Sequence, residues 1–443
     1  MISSRLVSLN ALLRIDLTDS YSNIVIDKEI KKADLDKRDA SFASNLFYGV
    51  IERKIELDYI ISKCTKKQIN KIDVDILNII RMGIYQILYM GKVPSSAAVN
   101  ESVNLAKAVK KFSASGFVNG ILRNVVRSKE ELKIVPQNYD RLDYLNLKYS
   151  IPKRIISIWD KNYGKNCCEE LLKSMLHTPP IYARVNTLKI SANELIESLK
   201  CSGIIAEESV LGDAILIKSF GLLEKVNEFN KGYFHIQDLA SQVCCNLINP
   251  KPGETILDVC SAPGGKAFTI AEIMKNKGNV FAFDLYDSKV NLVNKGAKRL
   301  GLSIISARVR DALSDDNLPQ SDKVLCDVPC SGLGIIRRKP EIKYKNLDNI
   351  ANLPILQYNI LCKAEKFVKL GGLLIYSTCT LNHEENGMIV DRFLSEHVDY
   401  EPQKINLPLG ISRCIDEPLN QLTLMPQFNN TDGFFISLFR KRG

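Results

Sequence analysis

The chain has 443 residues, of which 45% are hydrophobic, which predicts two or three domains with real cores and argues against disorder. Its 60 Lys and Arg residues against 50 Asp and Glu residues leave a net charge of +10, a modest excess that is compatible with a phosphate-backbone partner but does not by itself indicate one. The 12 cysteines include adjacent pairs but no C-x-x-C spacing, which argues against structural zinc, any other metal site and a disulfide framework.

The N-terminal stretch contains charged residues and lacks a sustained apolar core, so it does not resemble a signal peptide. The charges are at Arg5, Arg14 and Asp16. No stretch of the sequence approaches the roughly 20 apolar residues that a membrane span needs. We therefore expect a reduced, cytoplasmic protein that does not contact a membrane.

Residues 1–130 are predicted to form an all-helical domain. Ser3 and Ser4 can cap a first helix, and Asp73 can cap a helix over 74–90 that is apolar almost all round and should lie at the centre of the domain. Further helices are predicted over 36–53 and after Pro94.

Together with the segment 116–122, this helical layout resembles the NusB-like RNA-binding domain. Basic residues cluster near that segment, at Lys107, Lys110, Lys111, Arg123 and Arg127. They fit either a solvated helix face or an RNA contact, and the resemblance favours RNA.

Residues 128–149 lack periodicity and are interpreted as a linker. Helices are then predicted over 151–159 and 169–175, and a strand over 181–186. A helix over 192–199 and strands over 204–206 and 214–217 complete a small α+β unit. Arg184 and Asn186 are candidate RNA contacts, with a structural role as the alternative.

From residue 251 onward, strands and helices alternate, which indicates βαβ units and a parallel sheet. Strands are predicted over 255–259, 279–283, 304–309, 323–326 and 372–377, and helices over 288–300 and 356–369. A last strand over 434–439 is predicted to pair in an antiparallel hairpin with 423–425. We expect three domains, at 1–130, 131–245 and 246–443.

A turn of small residues follows the first of these strands and opens a helix, as nucleotide-binding turns do in doubly wound folds. It spans residues 258–266 and lacks both the G-x-G-x-x-G and the phosphate-loop patterns. Asp284 ends the next strand, where a carboxylate can hold a ribose hydroxyl. The alternative for Asp284 is a helix N-cap, which is common at strand–helix turns.

Two cysteines follow neighbouring strands of the predicted sheet: Cys330 after 323–326 and Cys379 after 372–377. Most cysteines in apolar surroundings are inert, but a cysteine beyond a strand's carboxyl end, found twice beside a glycine turn, indicates chemistry. A cysteine thiolate is a strong nucleophile and can form a covalent intermediate with a substrate. The residues alone do not decide which of the two cysteines is the nucleophile.

Three motifs in order, at 258–266, 327–332 and 377–380, resemble those of the RNA cytosine-5 methyltransferases. Together with the predicted helical domain over residues 1–130, these motifs make the chain resemble the RsmB (Fmu/Sun) family, which methylates 16S ribosomal RNA. The resemblance spans nearly the whole length. It implies a Rossmann-like methyltransferase sheet that binds S-adenosylmethionine, preceded by the NusB-like domain and a small α+β RNA-binding segment.

By this resemblance Cys379 is the nucleophile, Cys330 assists elimination and release, and Asp327 holds the cytosine at ring nitrogen 3 and the amino group and also borders the cofactor. Asp311 is expected to contact the adenine amino group, with a helix N-cap as its alternative. The expected cofactor loop consists of Cys260, Ser261, Ala262, Pro263, Gly264, Gly265 and Lys266.

The basic stretch 335–343 follows the Cys330 motif, and we interpret it as a contact to phosphates that flank the target base, with a solvated loop as the alternative. The expected substrate is 16S rRNA or a small-subunit precursor, and the expected state is a monomer. Two other functions remain open: a nucleic-acid-binding factor with a degenerate catalytic part, and a DNA cytosine methyltransferase.

Overall fold

The computed structural model describes residues 3–18, 21–132, 134, 138–218, 221, 223–315 and 317–443, without the side chains of 347–349. The chain divides into two compact units. The first contains Met1–His177 and Ile336–Lys345, and the second contains Thr178–Ile335 and Asn346–Gly443. The division into three domains stays a prediction.

The first unit is helical, as predicted for the N-terminal part of the chain. The predicted caps are present: Ser3 accepts a hydrogen bond from the Leu6 amide, and Asp73 accepts one from the Asp75 amide. The helices are α1 (Ser4–Leu17), α2 (Ser22–Ala33), α3 (Lys37–Glu52), α4 (Lys54–Cys64), α5 (Val74–Tyr89), α6 (Ser95–Ala108), α7 (Ser115–Arg127), α8 (Arg141–Tyr149), α9 (Lys153–Tyr163) and α10 (Lys165–Ser174).

Helix α5 is the central helix of this unit, as its apolar sequence predicted. Ile79, Ile80 and Ile84 are fully buried within an apolar cluster that also takes in α1, α3, α6 and α7. Because residues on all sides of α5 are buried, its sequence lacks the polar face that a surface helix would show.

The predicted linker over 128–149 is wrong in its second half, which forms α8. Asp140 caps this helix by accepting a hydrogen bond from the Asp143 amide at 2.8 Å. Leu145 and Tyr149 of α8 are buried, so this short helix is a packed element. The sequence of α8 lacks a clear apolar periodicity because only a few of its positions face the core, so the pattern did not predict a helix.

The basic stretch after the Cys330 motif is the second correction. Residues 336–345 belong to the first unit, and Arg337 and Lys343 are buried there. The Lys343 ammonium donates to the Glu52 carbonyl at 2.6 Å, and the Tyr344 hydroxyl donates to the Ile51 carbonyl at 2.9 Å. These two hydrogen bonds satisfy carbonyls at the end of α3. Because Lys343 is engaged there and Arg337 is buried, neither side chain is placed to contact a phosphate.

The second unit begins with a small antiparallel sheet and its helices. These elements are β1 (Ile181–Val185), α11 (Ala192–Cys201), β2 (Ala206–Glu208), β3 (Ala214–Ile217), α12 (Asn227–Asn230) and β4 (Phe234–Ile236). The strand order is β2-β3-β1-β4. The predicted strands over 181–186 and 214–217 are confirmed, whereas the one predicted over 204–206 begins at Ala206.

A larger sheet and its flanking helices form the rest of the second unit. The elements are α13 (Leu239–Ile248), β5 (Thr255–Asp258), α14 (Gly265–Ile273), β6 (Asn279–Asp284), α15 (Asp287–Leu300), β7 (Ile305–Val309), β8 (Ser321–Asp327), α16 (Leu353–Ala364), β9 (Val368–Thr378), α17 (Gly387–Glu396), β10 (Tyr400–Pro402), β11 (Gln421–Leu424), α18 (Pro426–Asn429) and β12 (Phe434–Lys441). The strand order is β10-β12-β9-β8-β5-β6-β7, with β11 paired to β12.

The five strands β5 to β9 pair in parallel, and β10, β11 and β12 are antiparallel, which confirms both the parallel sheet and the final hairpin. Ile256 and Leu257 of β5 enter apolar clusters on opposite faces, which explains the continuous apolar run of this strand. The chain leaves β5 toward β6 and β7, then returns to place β8 on the other side of β5. This reversal creates a topological switch point, the usual ligand site of open α/β sheets.

Arg184 and Asn186 are structural, so the interpretation of these residues as RNA contacts is wrong. The Arg184 side chain is 1% exposed and lies 3.4 Å from the Glu272 carboxylate of α14 and 3.1 Å from Asp213. The Asn186 amide donates to the Gly232 and Leu300 carbonyls, each at 2.9 Å. Both side chains therefore join the small sheet to helices that follow it in the chain, at Glu272 and Leu300.

Replacing Arg184 with Ala should destabilise the second unit by about 3 kcal/mol or more, because the buried Glu272 side chain would lose its ion-pair partner. Thermal unfolding followed by circular dichroism measures this loss. Lys200→Ala removes a cation that is 74% exposed and should change stability little. If Arg184→Ala left the melting temperature unchanged but weakened RNA binding, the structural role would be rejected.

Candidate active site at the carboxyl edge of the sheet

The turn between β5 and α14 is folded tightly at the switch point. The Ser261 amide donates to the Phe283 carbonyl at 2.7 Å, and the Gly264 amide donates to the Ser261 carbonyl at 2.8 Å. Gly264 has φ +104°, and a Cβ there would lie 2.5 Å from the Phe268 ring, so this position requires glycine. Of the predicted loop residues, Ser261 and Gly264 are buried, Pro263 is exposed, and Cys260, Ala262, Gly265 and Lys266 are half-buried.

Asp258, the last residue of β5, lies at the same edge of the sheet, and no sequence pattern marked it individually. Its side chain is buried, and in the described part of the chain no donor reaches either carboxylate oxygen with full hydrogen-bond geometry. Burial, and then the nearby charge of Asp327, raise the pKa of Asp258 to about 7, against smaller lowering effects of the nearby Ser261 hydroxyl, Lys266 ammonium and Cys260 amide. An acceptor left unpaired beside a glycine turn fits a cationic or hydrogen-bond-donating ligand. The signal available in the sequence was an acid at a strand's carboxyl end.

Lys266 and Asp327 form a tight ion pair. The Lys266 ammonium lies 2.6 Å from one Asp327 oxygen, and the Ser377 hydroxyl donates to the other at 2.8 Å. Burial lowers the pKa of Lys266, but the Asp327 charge outweighs it and the pKa stands above its ordinary value. The Asp327 side chain remains 28% exposed, so its carboxylate is held in one orientation and still faces open space.

The sulfurs of Cys330 and Cys379 lie 3.2 Å apart. The two cysteines follow neighbouring strands, as their positions in the sequence predicted: β8 and β9 are paired, with Asp327 opposite Ser377. The hydrogen bond to Cys379, and then burial, raise the pKa of the Cys330 thiol well above its ordinary value. Cys330 is therefore held as a neutral thiol that can donate its S–H to the neighbouring sulfur.

Asp284 and Asp311 occupy different environments. Asp284 ends β6 and is mostly buried; one of its oxygens lies 3.5 Å from the Lys289 ammonium and accepts from the Tyr286 amide at 3.3 Å. Asp311 is exposed two residues beyond β7 and accepts from the Leu313 amide at 2.9 Å. Neither is the N-cap of a described α-helix. The N-cap of α15 is Tyr286, and the next described α-helix after Asp311 is α16, which begins at Leu353. Both carboxylates lie on the same side of the switch point.

Among the described residues, no three or more His, Cys, Asp or Glu side chains are grouped to hold a metal ion. None of the helices that they form has the length and apolar character needed to cross a bilayer.

Comparison with protein families matches three segments of the chain. Residues 245–440 match the family described as 16S rRNA methyltransferase RsmB/F. Residues 2–127 match the NusB family, and residues 151–222 match the RsmF/B-like ferredoxin-like domain. The ferredoxin-like match falls within the small α+β unit that the sequence predicted.

Curated relatives match over nearly the full length. A Bacillus subtilis protein named "Probable ribosomal RNA small subunit methyltransferase B" is 35% identical over 100% of this chain and 99% of its own length. A Klebsiella pneumoniae protein named "Ribosomal RNA small subunit methyltransferase B" is 30% identical over 97% of this chain and 95% of its own length.

Solved structures also match. A crystal structure described as that of PH0851 superposes with a TM-score of 0.84 at 26% identity, covering 98% of this chain and 97% of that one. A methyltransferase homologue from Pyrococcus horikoshii superposes with a TM-score of 0.59 at 28% identity, covering 68% of this chain and 99% of that one.

Asp258→Asn should stabilise the ligand-free protein at pH 8 by about 1–3 kcal/mol and have little effect at pH 4. The folded-state pKa of about 7 lies above the unfolded value of 3.8, so wild-type stability falls as pH rises between them, and the amide removes this loss. Melting temperatures across that pH range measure the difference. The exposed Asp391→Asn serves as the control, and equal shifts at both pH values would contradict the assigned ionisation.

Proposed function

This chain belongs to the 16S rRNA methyltransferase RsmB/F family, and from that membership we propose that it methylates carbon 5 of a cytosine in 16S rRNA with S-adenosylmethionine as donor. The observation that carries this proposal is the 3.2 Å separation of the Cys330 and Cys379 sulfurs, at the ends of paired strands. Two thiols beside an oriented carboxylate suit covalent catalysis on a pyrimidine ring.

S-adenosylmethionine, when bound, supplies a methyl group on a positively charged sulfur. The turn from Cys260 to Gly265 provides small residues and backbone N–H groups for its methionine part. The unpaired Asp258 carboxylate fits the ammonium group of that part, and Asp284 fits the ribose diol. Asp311 would accept from the adenine amino group.

In the proposed reaction the Cys379 thiolate adds to carbon 6 of the cytosine, which makes carbon 5 nucleophilic toward the methyl group. Asp327 would accept from the exocyclic amino group and stabilise the proton that ring nitrogen 3 acquires. Lys266 and Ser377 hold that carboxylate in place through hydrogen bonds of 2.6 and 2.8 Å. A fixed acceptor in a partly buried site stabilises developing positive charge without first reorganising.

In release, the proton on carbon 5 passes to a solvent water, the 5,6 double bond re-forms, and the bond from carbon 6 to the Cys379 sulfur breaks with its electron pair left on sulfur. Ring nitrogen 3 gives back to solvent the proton that it acquired on addition. Cys330 would assist by donating its S–H hydrogen bond to the departing thiolate. Its raised pKa supports this role, because a thiol that stays neutral can donate at the moment the thiolate leaves. The rival assignment exchanges the two cysteines.

The helical unit is the proposed site of further RNA contact. Lys107, Lys110, Arg123 and Arg127 are exposed there, as a phosphate contact requires. The Lys111 ammonium already forms ion pairs, at 2.6 Å with Asp73 and 3.7 Å with Asp75, so it is less available to a phosphate.

Cys379→Ala should abolish methylation and prevent any covalent RNA adduct, whereas Cys330→Ala should accumulate the adduct because release is impaired. Incubation with a 16S transcript and cofactor, followed by a denaturing gel, detects the adduct as a slowly migrating band. Cys201→Ala, at an exposed position, should behave as wild type.

A transcript that carries 5-fluorocytosine sharpens this test, since fluorine replaces the proton that must leave carbon 5. Wild-type protein should then be trapped on the RNA, and Cys379→Ala should not. An adduct that persists in Cys379→Ala and disappears in Cys330→Ala would exchange the two roles. No adduct with RNA in any variant, but methylation of DNA, would reject the proposal.

Asp284→Ala should weaken S-adenosylmethionine binding by about 10- to 100-fold, because a charge-assisted hydrogen bond to the ribose is lost. Isothermal titration calorimetry with the cofactor measures the dissociation constant directly. Asp287→Ala removes a carboxylate in the first turn of α15 and should leave affinity unchanged. Equal affinities for Asp284→Ala and wild type would remove Asp284 from the cofactor site.

A further inference from the structure

A buried glutamate lies behind the two cysteines. Glu385 is 0% exposed and sits in the short helical turn His383–Glu385 that follows β9. A carboxylate without access to water is costly unless several donors reach it. Its partners come from both cysteine-bearing segments.

One oxygen of Glu385 binds the segment around Cys330. It accepts from the Ser331 amide at 2.8 Å and from the Gln357 side chain at 2.9 Å. The same Gln357 amide group donates to the Pro329 carbonyl at 2.9 Å. The residues immediately before and after Cys330 are therefore both fixed, one through Gln357 and the other directly.

The other oxygen of Glu385 binds the segment after Cys379. It accepts from the Asn382 side chain at 3.1 Å, and the Thr380 hydroxyl lies 3.5 Å away. The Thr380 and Ser331 hydroxyls are also bonded to each other at 2.7 Å. The residues that follow the two cysteines therefore meet each other as well as the same carboxylate.

We propose that Glu385 is a positioning residue that holds the two cysteine-bearing turns in register, so that the Cys330 S–H remains within reach of the Cys379 sulfur. The assignment of catalytic roles to these sulfurs rests on the function proposed above, whereas the positioning role does not. The last residues of the β8–β9 ladder are Asp327 and Ser377, so the turns beyond them are joined by other contacts. The Gly334 amide donates to the Cys379 carbonyl at 3.0 Å, and the Ser331 and Thr380 hydroxyls are bonded to each other. Glu385 adds a buried carboxylate that accepts from both turns at once.

The separation of the two sulfurs can be measured without any enzymatic activity. In a glutathione buffer, two thiols held close together reduce one glutathione disulfide to two glutathione thiols and become one protein disulfide. The equilibrium constant reports their effective concentration, and peptide mapping after acid quenching and alkylation quantifies the Cys330–Cys379 bond. Glu385→Ala should lower this constant by about tenfold or more, because the turns separate.

Two further variants serve as a control and as a conservative substitution. Glu384→Ala removes the neighbouring exposed carboxylate and should match wild type. Glu385→Gln keeps the shape but faces one set of donors with an N–H group, so it should lower the constant by a smaller amount, about threefold. If Glu385→Ala does not fold, Glu385→Gln decides, and a constant equal to that of wild type overturns the proposal.

A second readout links positioning to the reaction. With a 16S transcript, Glu385→Ala should slow decay of the RNA adduct and lower kcat while leaving KM and cofactor affinity near wild type. A variant whose disulfide equilibrium and adduct decay both match wild type would overturn the positioning role. If wild type forms no adduct with the 5-fluorocytosine transcript but Glu385→Ala still lowers the disulfide equilibrium, the proposed function fails and the positioning role stands.

Discussion

Parallel pairing of β8 between β5 and β9 is the constraint on which the site depends. Because parallel strands end at the same edge of a sheet, this arrangement brings the turns after all three strands together. The glycine turn follows β5, Cys330 follows β8 and Cys379 follows β9. The reversal of strand order at β5 separates the ribose-side residue Asp284, after β6, from the two sulfurs.

Three buried charged side chains of the second unit show how such groups are paired or satisfied by hydrogen bonds. Lys266 pairs with Asp327, Arg184 pairs with Glu272, and Glu385 accepts several neutral donors. Asp258 differs from these three, since among the described residues neither of its buried oxygens has a donor in full hydrogen-bond geometry. An unsatisfied acceptor costs stability, which is consistent with a residue retained for binding a ligand.

The rejected assignments share one physical cause. Arg184, Arg337 and Lys343 are basic, and basic side chains usually face water, so a phosphate contact was the natural interpretation. Each is instead buried within its own unit, where it meets a carboxylate, fills a packed position or caps a helix end. The sequence shows a charge but not whether a distant acceptor will receive it: Lys343 and Glu52 are 291 positions apart.

The sequence by itself determined the N-terminal helical domain, its central apolar helix, the parallel strands and the two cysteines at strand ends. These features depend on caps, periodicity and apolar runs, which are set by residues within a few positions of each other. Only the tertiary structure decided that residues 336–345 belong to the helical unit, that neither oxygen of Asp258 has a donor in full hydrogen-bond geometry among the described residues, and that the two sulfurs lie 3.2 Å apart. Those outcomes require groups distant in sequence to meet, and no local pattern encodes that meeting.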